Sequence, residues 1–359
     1  MQLVDSVTLY ENPAPLLVNR QAAFPGIVQL PDGELLALFS IGQAFDAADM
    51  RAHVSRSSDN GQSWSAPVRL HPADTVPEES ESFKPMLLAD GSLLATGYVF
   101  VRPTPLTPVV DPETFALLEL RNKVSRSSDG GRSWSQPDYF DVEGQPLELS
   151  GPCIQLASGR ILGAAAPFHL GKRGHAGWII ASDDHGQSWR KRSQFYAAPE
   201  GNISTWESRL CEIAPGRIAV LFWAYDNAAG QNLNNHFVLS EDSGESFGPV
   251  LDTGIRGQAS NLLALGGETI LTIHAHREAP VGLVVRRVDI SGGGFRVKDE
   301  LDLFQDADMG SDSADIRKQF GSLKFGQPSL LRLADGSIYA ACWRYENGQH
   351  VIKGFRIAL

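Results

Sequence analysis

Ser57-Ser-Asp59-Asn-Gly61-Gln-Ser63-Trp64 is a tight turn spelled out in side chains. It returns as Ser127-Ser-Asp129-Gly-Gly131-Arg-Ser133-Trp134, as Ser182-Asp-Asp184-His-Gly186-Gln-Ser188-Trp189, and as Ser240-Glu-Asp242-Ser-Gly244-Glu-Ser246-Phe247. In the shared formula S-x-D-x-G-x-S-[W/F], Asp and Ser bond the backbone of the turn, Gly accepts positive φ, and the closing aromatic is large enough to plug a core beneath. A β-rich run such as Ala52-His-Val-Ser-Arg56 or His236-Phe-Val-Leu239 precedes each copy, so each copy reads as a hairpin tip.

A second repeat interleaves with the first. Pro25-Gly-Ile-Val-Gln-Leu-Pro-Asp-Gly33-Glu-Leu-Leu-Ala-Leu-Phe39 is an apolar run, a glycine turn and a second apolar run, and later copies centre on Gly91, Gly159, Gly216, Gly267 and Gly336. The successive spacings of 58, 68, 57, 51 and 69 residues each accommodate four short strands with their connections. Six four-stranded antiparallel units predict an all-β, six-bladed propeller. The sixth unit ends at His350-Val-Ile-Lys-Gly-Phe-Arg-Ile-Ala358 without a fourth strand, and Val7-Thr-Leu-Tyr10 is the expected supplier. That closure makes residues 1–359 one domain. A pair of β-sandwiches is the rival architecture, but no boundary marks the middle of the chain.

Composition agrees with a globular β protein: of 359 residues, 42% are hydrophobic and 20% charged, and 35 Gly and 21 Pro punctuate the apolar runs. With 42 acidic against 31 basic residues the net charge is −11, which disfavours nucleic acid and anionic membrane as partners. Cys153, Cys211 and Cys342 each lie inside an apolar run, which suits buried thiols. The first residues form neither a basic leader nor an apolar segment, and no stretch is long enough to span a bilayer, so the expected location is cytoplasmic. Composition leaves the oligomeric state open.

Four such turns in a six-unit array resemble the Asp-box, or bacterial neuraminidase repeat, proteins of the sialidase superfamily, and the resemblance covers nearly the whole chain. It implies that Asp59, Asp129, Asp184 and Asp242 are structural and lie on the face away from the ligand. It also implies that inner-strand starts and second-to-third strand connections converge on the ligand mouth. The chain departs from the sialidase pattern there. Ala23-Phe24-Pro25 stands where the family has Arg-Ile-Pro, Phe222-Trp223-Ala224 stands where a second arginine is expected, Arg277 is the nearest match to the third, and Gln327 takes the place of the tyrosine nucleophile.

Two carboxylates match. Asp49, with Asp46 as its near alternative, falls at the family's acid/base aspartate, and Glu207 falls at the glutamate that assists the tyrosine; Gln258-Ala-Ser resembles the start of the fifth inner strand. The implied function is a glycoside hydrolase acting on a terminal acidic or decorated sugar, with Asp49 or Asp46 as proton donor and Glu207 as base. Lys84, Arg209 and Arg277 would hold a substrate carboxylate, with Trp206, Gln258 and Gln327 completing the binding set. A uronate-directed lyase or a non-catalytic glycan-binding propeller are the alternatives. No cofactor or metal is expected: His274 and His276 lack a third ligand at diagnostic spacing, and Asp306-Ala-Asp308-Met-Gly310-Ser-Asp312 lacks the distal glutamate of a calcium loop. Two inserts bear on the mouth, Val99 to Leu120 as a candidate lid and Asp312 to Phe320 as a short helix.

Overall fold

The computed structural model describes residues 1–45, 47–72, 79–111, 113–114, 116–169, 171, 173–311 and 322–359; the expected helix from Asp312 to Phe320 lies outside them. Six antiparallel sheets stand around a central axis as the blades of a propeller. Their innermost strands are Gln21–Gln29, Glu79–Leu87, Leu147–Glu148 with Ile154–Gln155, Ile203–Ala214, Ser260–Gly266 and Phe325–Arg332, which define blades 1 to 6. In every blade the repeated glycine turn joins the first strand to the second. Gly33, Gly91, Gly159, Gly216, Gly267 and Gly336 all take φ between 61° and 90° there, a region from which a Cβ is sterically discouraged.

The Asp-box joins the third strand to the fourth in blades 1 to 4, on the face opposite the inner-strand starts. Its aspartate accepts from both serine hydroxyls and from the second serine's amide, for instance Ser188 N at 2.8 Å and Ser182 Oγ at 2.7 Å from Asp184. These bonds, the second serine's hydroxyl foremost, hold the Asp59 and Asp184 carboxyls down at about 2. The first serine also accepts from the box glycine amide, as Ser57 does from Gly61 at 2.8 Å, so few polar groups of the turn go unused.

What the turn positions is an aromatic ring. Trp64 of blade 1 packs into the seam with blade 6 and donates to Tyr339 Oη at 3.2 Å. Trp134, Trp189 and Phe247 enter the seams between blades 1 and 2, 2 and 3, and 3 and 4. The box glycine faces the same neighbour: a Cβ on Gly61 would come within 2.1 Å of Tyr339, and one on Gly131 within 2.4 Å of Leu36. The remaining seams, blades 4 to 5 and 5 to 6, hold apolar clusters without a box. The core of this protein therefore lies between its sheets, in slices around the ring.

Closure occurs as the repeat count required. Gln2–Tyr10 is the outer strand of blade 6, antiparallel to Gln349–Ala358, with Val7 opposite Gly354 and Tyr10 opposite Ile352. Leu9 and Tyr10 are buried in the seam between blades 6 and 1. Removal of residues 1–10 bares a strand edge and that apolar seam, so the truncated protein is expected to melt at a lower temperature and to self-associate. Size-exclusion chromatography and thermal melting check this; an unchanged monomer with an unchanged melt would contradict it.

Candidate functional site

Inner strands begin, and second strands end, around a cavity of about 450 Å³ on the axis. Three of its lining residues, Phe24, Glu207 and Gln327, have positive φ of 63°, 46° and 38°. Each sits at a break in its strand's register, between Ala23 and Gly26, between Trp206 and Arg209, and between Gly326 and Ser329. A bulge of this kind re-aims a side chain out of the strand's alternation. Such φ values cost on the order of 1–3 kcal/mol for a non-glycine residue, and strain of that kind clusters where function requires it. Blades 1, 4 and 6 thus each turn one side chain toward the same volume.

A hydrogen-bonded chain links these side chains. Lys84 Nζ donates to the Phe24 carbonyl at 2.7 Å and to Gln327 Oε1 at 3.2 Å. An ammonium has only donors, so the amide is oriented with its oxygen toward Lys84 and its nitrogen toward Glu207. Gln327 Nε2 then donates to Glu207 Oε1 at 2.9 Å. Glu207 Oε2 is shielded by the cavity wall and has no hydrogen-bond partner among the described residues. At the other end of the same residue, the Glu207 amide donates to Glu148 Oε2 at 3.2 Å.

Cations flank this chain. Arg209 Nη1 donates to Ser150 Oγ at 2.9 Å, and Gly151 leaves room for it, since a Cβ there would lie 2.8 Å from Arg209 Cδ. Arg277 Nε donates to the Phe325 carbonyl at 2.9 Å and Nη1 to Gln258 Oε1 at 2.7 Å. Its Nη2 lies over Gly326, where a Cβ would approach to 2.0 Å; any side chain at position 326 would displace the guanidinium. Burial pushes the Arg277 guanidinium down to about 10 and the Lys84 ammonium well below its ordinary range, while Glu207 opposes both shifts. Burial pushes the Glu148 carboxyl up to about 7, with the Glu207 charge adding to the rise and Ser150 and Arg209 opposing it.

Of the residues singled out from sequence, Trp206, Glu207, Arg277 and Gln327 line the cavity. Lys84 and Arg209 do not; they are buried beneath it, with the bonds just described, so the expected cationic clamp reduces to Arg277 at the wall. Gln258 works through Arg277. Asp49 is not in the lining: its carboxylate accepts the Gln43 amide at 2.9 Å within its own loop, and the neighbouring Met50 faces the cavity instead. Asp46 lies outside the described residues. The insert after Val101 supplies a wall through Pro108, Val109, Val110 and Leu117. His274 and His276 belong to a buried network with Asn235, Thr272 and Arg286, and no cluster of metal-ligating side chains occurs among the described residues.

Sequence reasoning missed Glu148 and most of the aromatic lining. Trp206 stacks on Tyr225 at 5.3 Å and meets Trp223 edge-on at 5.1 Å. Across the cavity Phe45 packs on Trp343 at 4.9 Å and on Phe24 at 5.3 Å. One signal was present: Pro25, Pro85, Pro152 and Pro328 recur along the inner strands and the break in blade 3's, and proline in a strand marks an edge or a bulge.

The sequence matches no protein-family model and no curated protein. Solved structures share the fold. A protein of unknown function from Dyadobacter fermentans DSM 18053 is 20% identical with a TM-score of 0.78, over 100% of this chain and 99% of that one. The Hadza microbial sialidase Hz136 is 19% identical with a TM-score of 0.67, over 94% of this chain and 66% of its own. The NanB sialidase of Streptococcus pneumoniae is 13% identical with a TM-score of 0.65, over 98% and 70%. The sialidase-type propeller is therefore the fold of this chain.

The raised Glu148 carboxyl has a consequence for stability. Between the ordinary 4.5 and about 7 the folded protein holds a proton that the unfolded chain has released, so this group's contribution to stability falls as pH rises through that window and stays low above it. Glu148→Gln removes the titration. The variant is expected to gain on the wild type between pH 4.5 and pH 8 by up to about 3 kcal/mol, read from denaturant unfolding at the two pH values. A wild-type-minus-variant difference that is flat with pH would contradict the raised value.

Proposed function

We propose that the protein is a carbohydrate-active enzyme, a glycoside hydrolase that accepts the end of a glycan in the axial cavity with Glu207 as its reactive carboxylate. The observation that carries this reading is the Glu207 bulge. A strained backbone turns the carboxylate into the cavity, Gln327 fixes one oxygen, and the other is left without a partner. A carboxylate so held can serve as a base, or meet a developing positive charge at an anomeric carbon, once a bound substrate draws its buried oxygen into the cavity.

The surroundings fit a sugar. Aromatic faces from Trp206, Trp223, Phe24 and Trp343 offer apolar contact to the C–H faces of a pyranose, and Arg277 and Arg102 put cations in the wall that can meet an acidic or polar substituent. A cavity of about 450 Å³ is in the small-molecule range, which suits a chain end better than a long polymer stretch. The sialidases among the fold neighbours support the same class. Ordinary sialosides are expected to be poor substrates, because Ala23 and Gln327 stand where the resemblance calls for a carboxylate-binding arginine and a tyrosine nucleophile. Gln327 also favours a second reading, glycan binding without turnover, since an amide cannot replace a phenolate nucleophile.

A panel of 4-methylumbelliferyl glycosides of neutral, amino, uronic and sialic sugars tests both. Turnover of one of them by the wild type, reduced by at least about 100-fold in Glu207→Gln with an unchanged melting temperature, is the expected result. Binding without turnover across the panel would leave the second reading standing.

A further inference from the structure

The cavity holds one more carboxyl placed for chemistry. Glu148 ends the first segment of blade 3's broken inner strand, where the chain leaves the sheet until Ile154 resumes pairing. That break places Glu148 in the cavity lining beside the Glu207 bulge of the next blade, with its Oε2 on the Glu207 amide. Glu207 then extends away from this point to meet Gln327 of blade 6. The two carboxyls therefore enter one volume at different places, one by Glu207's backbone and the other at the end of its side chain.

We propose that Glu148 is the proton donor of this site, protonating the leaving oxygen while Glu207 receives the proton of the attacking water. The assignment rests on the reading of the cavity as a glycoside-cleaving site and goes beyond it by naming the acid. In the step, the bond from the anomeric carbon to the glycosidic oxygen breaks and its electron pair stays on oxygen. That oxygen takes the Glu148 proton and departs as an alcohol. Water forms the new bond to the anomeric carbon and gives its proton to Glu207, and exchange with solvent returns both carboxyls to their starting states.

Among the described residues, two other carboxyls near the mouth have partners of their own. Glu81 accepts the Ala52 amide at 3.0 Å and lies 3.5 Å from His71; despite the opposing effect of burial, these contacts hold its carboxyl below its ordinary value, as an anion. Asp49 is bound to the Gln43 amide outside the cavity lining. Glu148 is buried at the cavity wall, and the burial that pushes it up to about 7 keeps a substantial share of it protonated at near-neutral pH.

The test uses leaving groups. For the sugar that the wild type releases from the methylumbelliferyl panel, kcat/KM is measured on its methyl and 2,4-dinitrophenyl glycosides with wild type and Glu148→Gln, each checked by thermal melting. Dinitrophenolate departs without protonation. Loss of the donor is therefore expected to lower the methyl glycoside rate by roughly 100- to 10,000-fold and the dinitrophenyl rate by less than about 10-fold. Equal losses on both, or none on either, overturn the assignment while leaving the hydrolase reading intact. A wild type that turns over no glycoside overturns the reading and the assignment together. If Glu148→Gln does not fold, Glu148→Asp replaces it: the same unequal loss on the two glycosides supports the donor role, and equal or absent losses overturn it.

Discussion

Everything in this molecule depends on how one sheet is fastened to the next. A four-stranded blade has two faces to cover and no helix to cover them, so each must find its apolar partner in a neighbouring blade. In blades 1 to 4 the fastening is specified by a single carboxylate. By accepting from two serine hydroxyls and an amide it fixes a turn whose glycine lies against the preceding blade and whose aromatic ring enters the seam. The seams of blade 5 with blades 4 and 6 close without a box, through apolar clusters and polar contacts such as Arg217 with Glu268 and Arg277 with the Phe325 carbonyl, and the N-terminal strand supplies the last edge.

With stability lodged in the seams and on the box face, the opposite end of the ring is free to carry strain. Phe24, Glu207 and Gln327 are held in a backbone region that disfavours a Cβ, each at a bulge on an axial strand. An axial strand is the edge of its own sheet, with a partner on one side only, so losing a ladder bond there costs less than it would in mid-sheet. Proline following Phe24 and Gln327 fits the same positions, because the amide it removes would have had no strand on the axial side to meet.

The fold was legible because its determinants are local. A box is eight consecutive residues, a glycine turn is two, and counting six turns with one strand missing was enough to place the N-terminal strand on blade 6. Glu207, Arg277, Trp206 and Gln327 were legible for a related reason: each lies at a fixed offset from a recognisable strand. Glu148 was not, since its chemistry comes from burial and from the amide of a residue on another blade, and neither is written in the local stretch Leu147-Glu-Leu-Ser150. Lys84 and Arg209 read as free cations because sequence shows their charge and not the carbonyl, amide and hydroxyl groups that consume it. Asp49 matched by position, yet it lies outside the cavity lining with one carboxylate oxygen on a loop amide six residues earlier.

The pairing of Gln2–Tyr10 with Gln349–Ala358 also sets an order of events during synthesis. Gln2–Tyr10 is completed only by a strand made long after it, so while the blades between are being made they form an open arc with an uncovered seam at either end. Blade-to-neighbour contacts are short in sequence and can form as each unit emerges, whereas ring closure joins the two strands of the propeller farthest apart in sequence and carries the largest loop entropy. The exposed interval is the time when one arc can close onto another copy of itself. Exchange of the first strand between two chains is thus the misassembly this architecture must outrun.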